Sequence, residues 1–109
     1  MVRYCFSDIR PMFVAIKDGN IEGVKQAIAE GADMNAQTIG GWIPLHIAVF
    51  KGHKEIAELL ITNGADLNAK NNFGDTPLDK AIRDNDSEIA DLLRKHGGKT
   101  GEELKAEGK

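Results

Sequence analysis

The chain is 109 residues long, the size of one domain, which leaves no room for separate cofactor and substrate lobes. Hydrophobic residues make up 41% and charged residues 28%, and no apolar run reaches the ~20 residues needed to span a bilayer, so a globular fold in water is expected. A formal charge of −3 argues against a surface that binds through nucleic-acid phosphates.

The first residues, Met1-Val2-Arg3-Tyr4-Cys5-Phe6-Ser7-Asp8, are too broken by polar groups for the apolar core of a secretion signal. Cys5 has no second cysteine to pair with, which points to a reducing compartment, most simply the cytoplasm. Tyr4 and Phe6 are expected to pack over the first helix pair. From about residue 7 the chain repeats itself. Gly31-Ala32-Asp33-Met34-Asn35-Ala36 returns as Gly64-Ala65-Asp66-Leu67-Asn68-Ala69, an offset of 33 residues. The same offset relates Pro11, Pro44 and Pro77; Ala15, Ala48 and Ala81; Glu22, Glu55 and Glu88; and Gly31, Gly64 and Gly97. Three copies are therefore expected, at about 7–37, 38–70 and 71–99, within a single domain 1–109.

Each copy carries the punctuation of two short antiparallel helices. In the first, Pro11 stands at a helix start and Asn20 is a good N-cap. In the second, Pro44 starts one helix and Gly52 ends it; another begins near His53, places Ile56, Leu59 and Leu60 on one stripe and stops at Gly64. Between pairs, Asp66-Leu67-Asn68-Ala69-Lys70-Asn71-Asn72-Phe73-Gly74-Asp75 is too rich in turn formers for a helix and predicts a projecting, hairpin-like finger. In the third copy, Pro77 and Asp86 take the starting positions. After Gly97-Gly98, Thr100 and Glu103 stand at capping-box spacing, so residues 100–109 predict a short capping helix that seals the last copy through Leu104.

Gly41-Trp42-Ile43-Pro44-Leu45-His46-Ile47-Ala48, Gly52-His53 and the stretch from Leu59 to Ala69 resemble an ankyrin repeat. Thr76-Pro77-Leu78-Asp79-Lys80-Ala81 is similar, with Asp in place of the family His, and Arg10-Pro11-Met12-Phe13-Val14-Ala15 is a degenerate first copy. The resemblance implies an all-α solenoid of stacked helix pairs with fingers on one side, used as a non-enzymatic protein-binding surface. It also implies that His46 braces neighbouring copies by hydrogen bonds, one of which is missing because Ile43 replaces the usual Thr. Bacterial members often end in a tail like this one.

A stack must hide apolar surface at both ends. Gly23 and Gln26 stand in the first copy where the second has Ile56 and Leu59, and Arg94 and Lys95 stand in the last where it has Ile61 and Thr62. These exchanges predict a complete, capped array.

Chemistry-bearing patterns have plainer explanations. Gly98-Lys99-Thr100 lacks the earlier glycine of a phosphate loop, Leu93 standing in its place, and reads as a helix stop followed by a cap. Cys5 with His46, His53 or His96 is conceivable as a nucleophile and base, but no local signature accompanies them, and His96 suits a helix C-terminus. Asp84, Asp86, Glu88 and Asp91 lack the ordered spacing of a calcium loop and suit a helix start. No cofactor or metal site is expected. Asn68 resembles the asparagine hydroxylated in some ankyrin repeats; its default role is to tie the finger turn together.

Trp42, Phe50 and Phe73 fall at positions the family varies, and with Lys17, Ile39, Lys51 and Arg83 they have the composition of a binding hot spot. Trp42 has the alternative of stacking on adjacent finger backbone. The expected function is an adaptor or scaffold that binds one protein partner, as a monomer, with no nucleic acid or membrane involved. The alternatives are a small Cys-dependent enzyme or a self-associating structural repeat.

One copy alone buries too little apolar surface to offset chain entropy, so the copies should fold as a unit. Deleting residues 71–109 is expected to leave a largely unfolded chain by circular dichroism. Full helical signal per residue in that truncation would contradict the cooperativity.

Overall fold

Pro at the first turn and a left-handed residue at the last set the ends of paired helices, because Pro needs no N–H there and Gly accepts positive φ without a Cβ penalty. The computed structural model describes residues 10–107, with side chains from Met12 onward. The expectations for Tyr4, Cys5 and Phe6 lie outside the described residues. Helices α1 (Arg10–Asp18) and α2 (Ile21–Ala29), α3 (Pro44–Lys51) and α4 (Lys54–Thr62), and α5 (Pro77–Arg83) and α6 (Ser87–Lys95) form three pairs, with α7 (Gly101–Ala106) after them. Asn20 and Asp86 cap α2 and α6 by accepting the N–H groups of Gly23 and Ile89, and Gly52 closes α3 at φ 75°.

The pairs stack in two rows. The first helices α1, α3 and α5 pack in succession, as do the second helices α2, α4 and α6. The result is an elongated array, 48 × 26 × 20 Å. Its core is one run of apolar side chains through all three pairs: Met12, Ile16 and Val24, then Leu45, Val49, Ile56 and Leu60, then Leu78, Ile89 and Leu93. Gly23 has a packing reason besides the one expected of an end copy. A Cβ there would lie 3.0 Å from that of Ala15, so the glycine lets α2 approach α1. Gln26 is exposed and donates to Glu30.

The fingers are tight turns, and there is no strand among the described residues. Thr38 N–H donates to Trp42 O at 2.9 Å, and one register later Asn71 N–H donates to Asp75 O at 3.0 Å. Buried Asn71 reinforces the second turn by accepting the N–H groups of Phe73 and Asp75. Neighbouring fingers are joined directly, since Asn72 donates its backbone N–H to Gly40 O and its amide to Ile39 O, each at 2.9 Å. Asn68 does not tie its own turn with its side chain. Its Oδ1 accepts Lys99 N–H at 2.7 Å, as Asn35 Oδ1 accepts Asp66 N–H at 2.8 Å, so this asparagine links its copy to the chain entering the next.

Helix α7 has the capping box formed by Thr100 and Glu103, but Leu104 is only half-buried and outside the core. The tail is fastened by polar contacts instead. Thr76 Oγ1 donates to Lys99 O, Gly101 N–H donates to Asp79 Oδ2, and Arg94 pairs with Glu103 at 2.8 Å.

Leu60 and Leu93 are fully buried, so truncating either to Ala is expected to cost about 2–5 kcal/mol in chemical denaturation. Gly41→Ala should cost about 1–3 kcal/mol, because φ is 82° and the new Cβ would lie 2.9 Å from Asn72 N of the next finger. A loss below roughly 0.5 kcal/mol at either leucine would mean that the helix register is wrong.

Candidate functional site

The first helices and the fingers converge around buried His46. Its Nδ1 accepts the Ile43 N–H at 3.1 Å and its Nε2 faces Asp75 O at 3.0 Å. Since Nδ1 must be unprotonated to accept, the proton sits on Nε2 and is donated to the next finger. Ile43 itself offers no side-chain acceptor. In the third copy Thr76 Oγ1 accepts the Asp79 N–H at 3.2 Å, the bond that the second copy lacks. Burial lowers the His46 pKa from 6.5, against the raising effect of its bond to Asp75.

Above His46 lies an aromatic and cationic cluster. Trp42 is half-buried, its ring 5.8 Å from that of His46 and 5.7 Å from that of Phe50, the latter edge-on at 88°. Phe50 is 50% exposed on the last turn of α3. Lys80 of α5 sits 4.6 Å over its ring centre, within the range of a cation–π contact, and Lys51 lies at 5.7 Å. Trp42 also rests on Gly40 of its own finger, where a Cβ would come within 3.1 Å of the indole. The indole thus packs both on finger backbone and on the Phe50 ring.

The structure thus brings together Trp42, Phe50 and Lys51. Lys17 is exposed in the last turn of α1, one register before Phe50. Ile39 and Phe73 stand out on successive fingers, 100% and 79% exposed. Arg83 is committed elsewhere, because its two terminal nitrogens donate to the two carboxylate oxygens of Asp75 at 3.0 and 3.1 Å. Lys80 is absent from the residues that the sequence singles out. Its position one helical turn before Arg83, the register mate of Phe50, is the signal that could have found it.

The other histidines have structural places. The His53 ring packs on Gly19, where a Cβ would lie 3.1 Å away, and His96 caps the C-terminus of α6. Cys5 lies outside the described residues. Among the described residues no group of three or more His, Cys, Asp or Glu side chains is arranged to hold a metal ion, and no helix is long and apolar enough to cross a membrane.

The stacked pairs, the turn-built fingers and the His46 bridge coincide with a match over residues 12–103 to the family described as ankyrin repeats, in three copies. The chain belongs to the ankyrin-repeat family. Ankyrin repeats are generally protein–protein interaction modules and generally not enzymes. No curated protein matches the chain. Within the ankyrin framework, His46 holds its usual bridge between copies, whereas Asp79 at the same position of the third copy accepts Thr76 N–H and the Gly101 N–H of the tail.

A lowered His46 pKa means that the unfolded chain binds the proton more readily than the folded one, so this residue's contribution is full above pH 6.5 and is lost as pH falls below it. Urea midpoints are expected to drop from pH 7.5 to pH 5.5 by more in the native protein than in His46→Gln. Equal slopes would show that the buried imidazole does not titrate with unfolding.

Proposed function

We infer that this single-domain chain is a non-enzymatic adaptor, acting as a monomer in the cytoplasm, that binds one protein partner on its finger and first-helix face. The face runs along Lys17, Phe50 and Arg83, one per helix pair, with Ile39, Trp42 and Phe73 on the fingers and Lys51 beside Phe50. Lys80 joins it as the residue that holds the Phe50 ring.

The observation that carries this reading is Phe50, a large apolar ring left half-exposed yet fixed between Trp42 and Lys80. An anchor already held in place loses little side-chain entropy when a partner covers it. Aromatic residues with apolar bodies and nearby cations are the usual composition of interface hot spots. The charges on the face are mixed, with Asp75 and Asp84 among its lysines and Arg83, which supports a protein partner over a polyphosphate chain.

Capture of partners by the native protein should be weakened strongly in Phe50→Ala or Trp42→Ala, by ~2 kcal/mol or more for a true anchor, with far-UV signal retained. Glu58→Ala on the second-helix row should leave capture unchanged. Loss of binding with Glu58→Ala alone would move the site to the opposite face.

A further inference from the structure

Each junction in this stack covers the same spot on the preceding pair. The His53 ring lies over Gly19, and Asp86 reaches over Gly52, its Oδ2 3.9 Å from where a Cβ would stand. In the same two pairs, Ile16 and Val49 are 0% and 2% exposed, and Val24 and Ala57 are buried. The third pair presents the same surface again. Asn85 holds the left-handed conformation of the two glycines, φ 58° against 70° and 75°. Ile82, in register with Ile16 and Val49, is 48% exposed, and Ala90 stands in register with Val24 and Ala57.

Ala81, Ile82, Asn85, Asp86, Ser87 and Ala90 line a groove of about 250 Å³ at this spot. Helix α7 does not fill it. Helix α7 is fastened to Asp79 near the start of α5 and to Arg94 near the end of α6, and since these helices are antiparallel, both points lie at the finger end of the pair. The groove lies at the opposite end.

Its surroundings are acidic. From Asp84 to Asp91 every charged side chain is a carboxylate: Asp84, Asp86, Glu88 and Asp91. Of the cations on the same helices, Lys80 pairs with Asp84, Arg83 with Asp75 and Arg94 with Glu103, while Lys95 stands in the last turn of α6, at the finger end and away from the groove. Glu88 and Asp91 make no ion pair among the described residues.

We propose that this end groove docks a basic amphipathic helix of a partner protein, which seats an apolar side chain against Ile82 and Ala90 and sets Lys or Arg against the carboxylates. The shape comes from the stack, because at the two preceding junctions this surface is covered by helices of the next pair. The charge of the partner comes from the rim. The proposal is independent of the finger face.

The test uses the full chain and two synthetic helices of about five turns. One has Leu at i, i+3, i+4 and i+7 flanked by Lys; the other has Glu in place of each Lys. The Lys helix is expected to shift the amide resonances of Ile82, Asn85 and Ala90, with affinity that falls as salt is raised. Ile82→Lys, whose side chain is 48% exposed, should weaken binding by at least about tenfold, with far-UV circular dichroism checking that the fold is kept. Asp91→Lys should weaken it more at low salt than at high salt. Equal binding of the Glu helix, shifts confined to the finger face, or no binding at all would overturn the proposal. So would concentration-dependent self-association that Ile82→Lys abolishes, since the groove would then serve a second copy of this chain.

Discussion

Two antiparallel helices of eight or nine residues cannot bury both of their faces in each other, and the rest of this protein is organised around that shortage. Ile56, Leu60 and Val49 are buried in a core that runs on through the neighbouring pairs. Strict recurrence at 33 residues is the covalent expression of this need, since a pair presents the right side chains to its neighbour only when each copy repeats the same geometry. Apolar contact alone would let the pairs slide. Polar bridges set the spacing: Asn35 to Asp66, Asn72 to the preceding finger, His46 to Asp75 and Asn68 to Lys99.

Position 46 and its register mate 79 show how the same place is solved twice with different chemistry. His46 both accepts and donates, which suits a site that faces an N–H of its own copy and a carbonyl of the next finger. Asp79 only accepts, and it meets the N–H groups of Thr76 and Gly101 instead. The exchange of His for Asp therefore matches the element packed after each copy: another finger in one case, the start of α7 in the other. This reciprocity also explains why the tail is held by hydrogen bonds and ion pairs although Leu104 contributes little burial.

A stack braced in this way gives its exposed side chains fixed positions. Phe50 gains from it most directly, since its neighbours come from three places in the chain: the finger at Trp42, its own helix at Lys51 and the next pair at Lys80. The same rigidity pairs Arg83 with Asp75, so this cation of the proposed face is presented as part of an ion pair that also holds the finger leading into its own helix pair. Charge and aromatic content alone do not distinguish these two fates.

The helix pairs, their ends and the three copies were legible in the sequence because they rest on local rules: Pro at a first turn, Asn, Asp or Thr as a cap, Gly in a left-handed exit, and an apolar stripe at helical spacing. The exposed aromatics were legible too, because the register places Phe50 and Phe73 off the buried stripes. Which cation sits over Phe50, which carboxylate takes Arg83, whether Asn68 bonds its own turn or the next copy, and why Ile82 is left uncovered while Ile16 and Val49 are not were all decided by the tertiary structure. Each depends on contact between residues brought together by the stacking, or on whether a further pair lies against the residue among those described. Local propensity carries no information about either, since the same residue in the same register position can be buried, paired or open according to what the stack places against it.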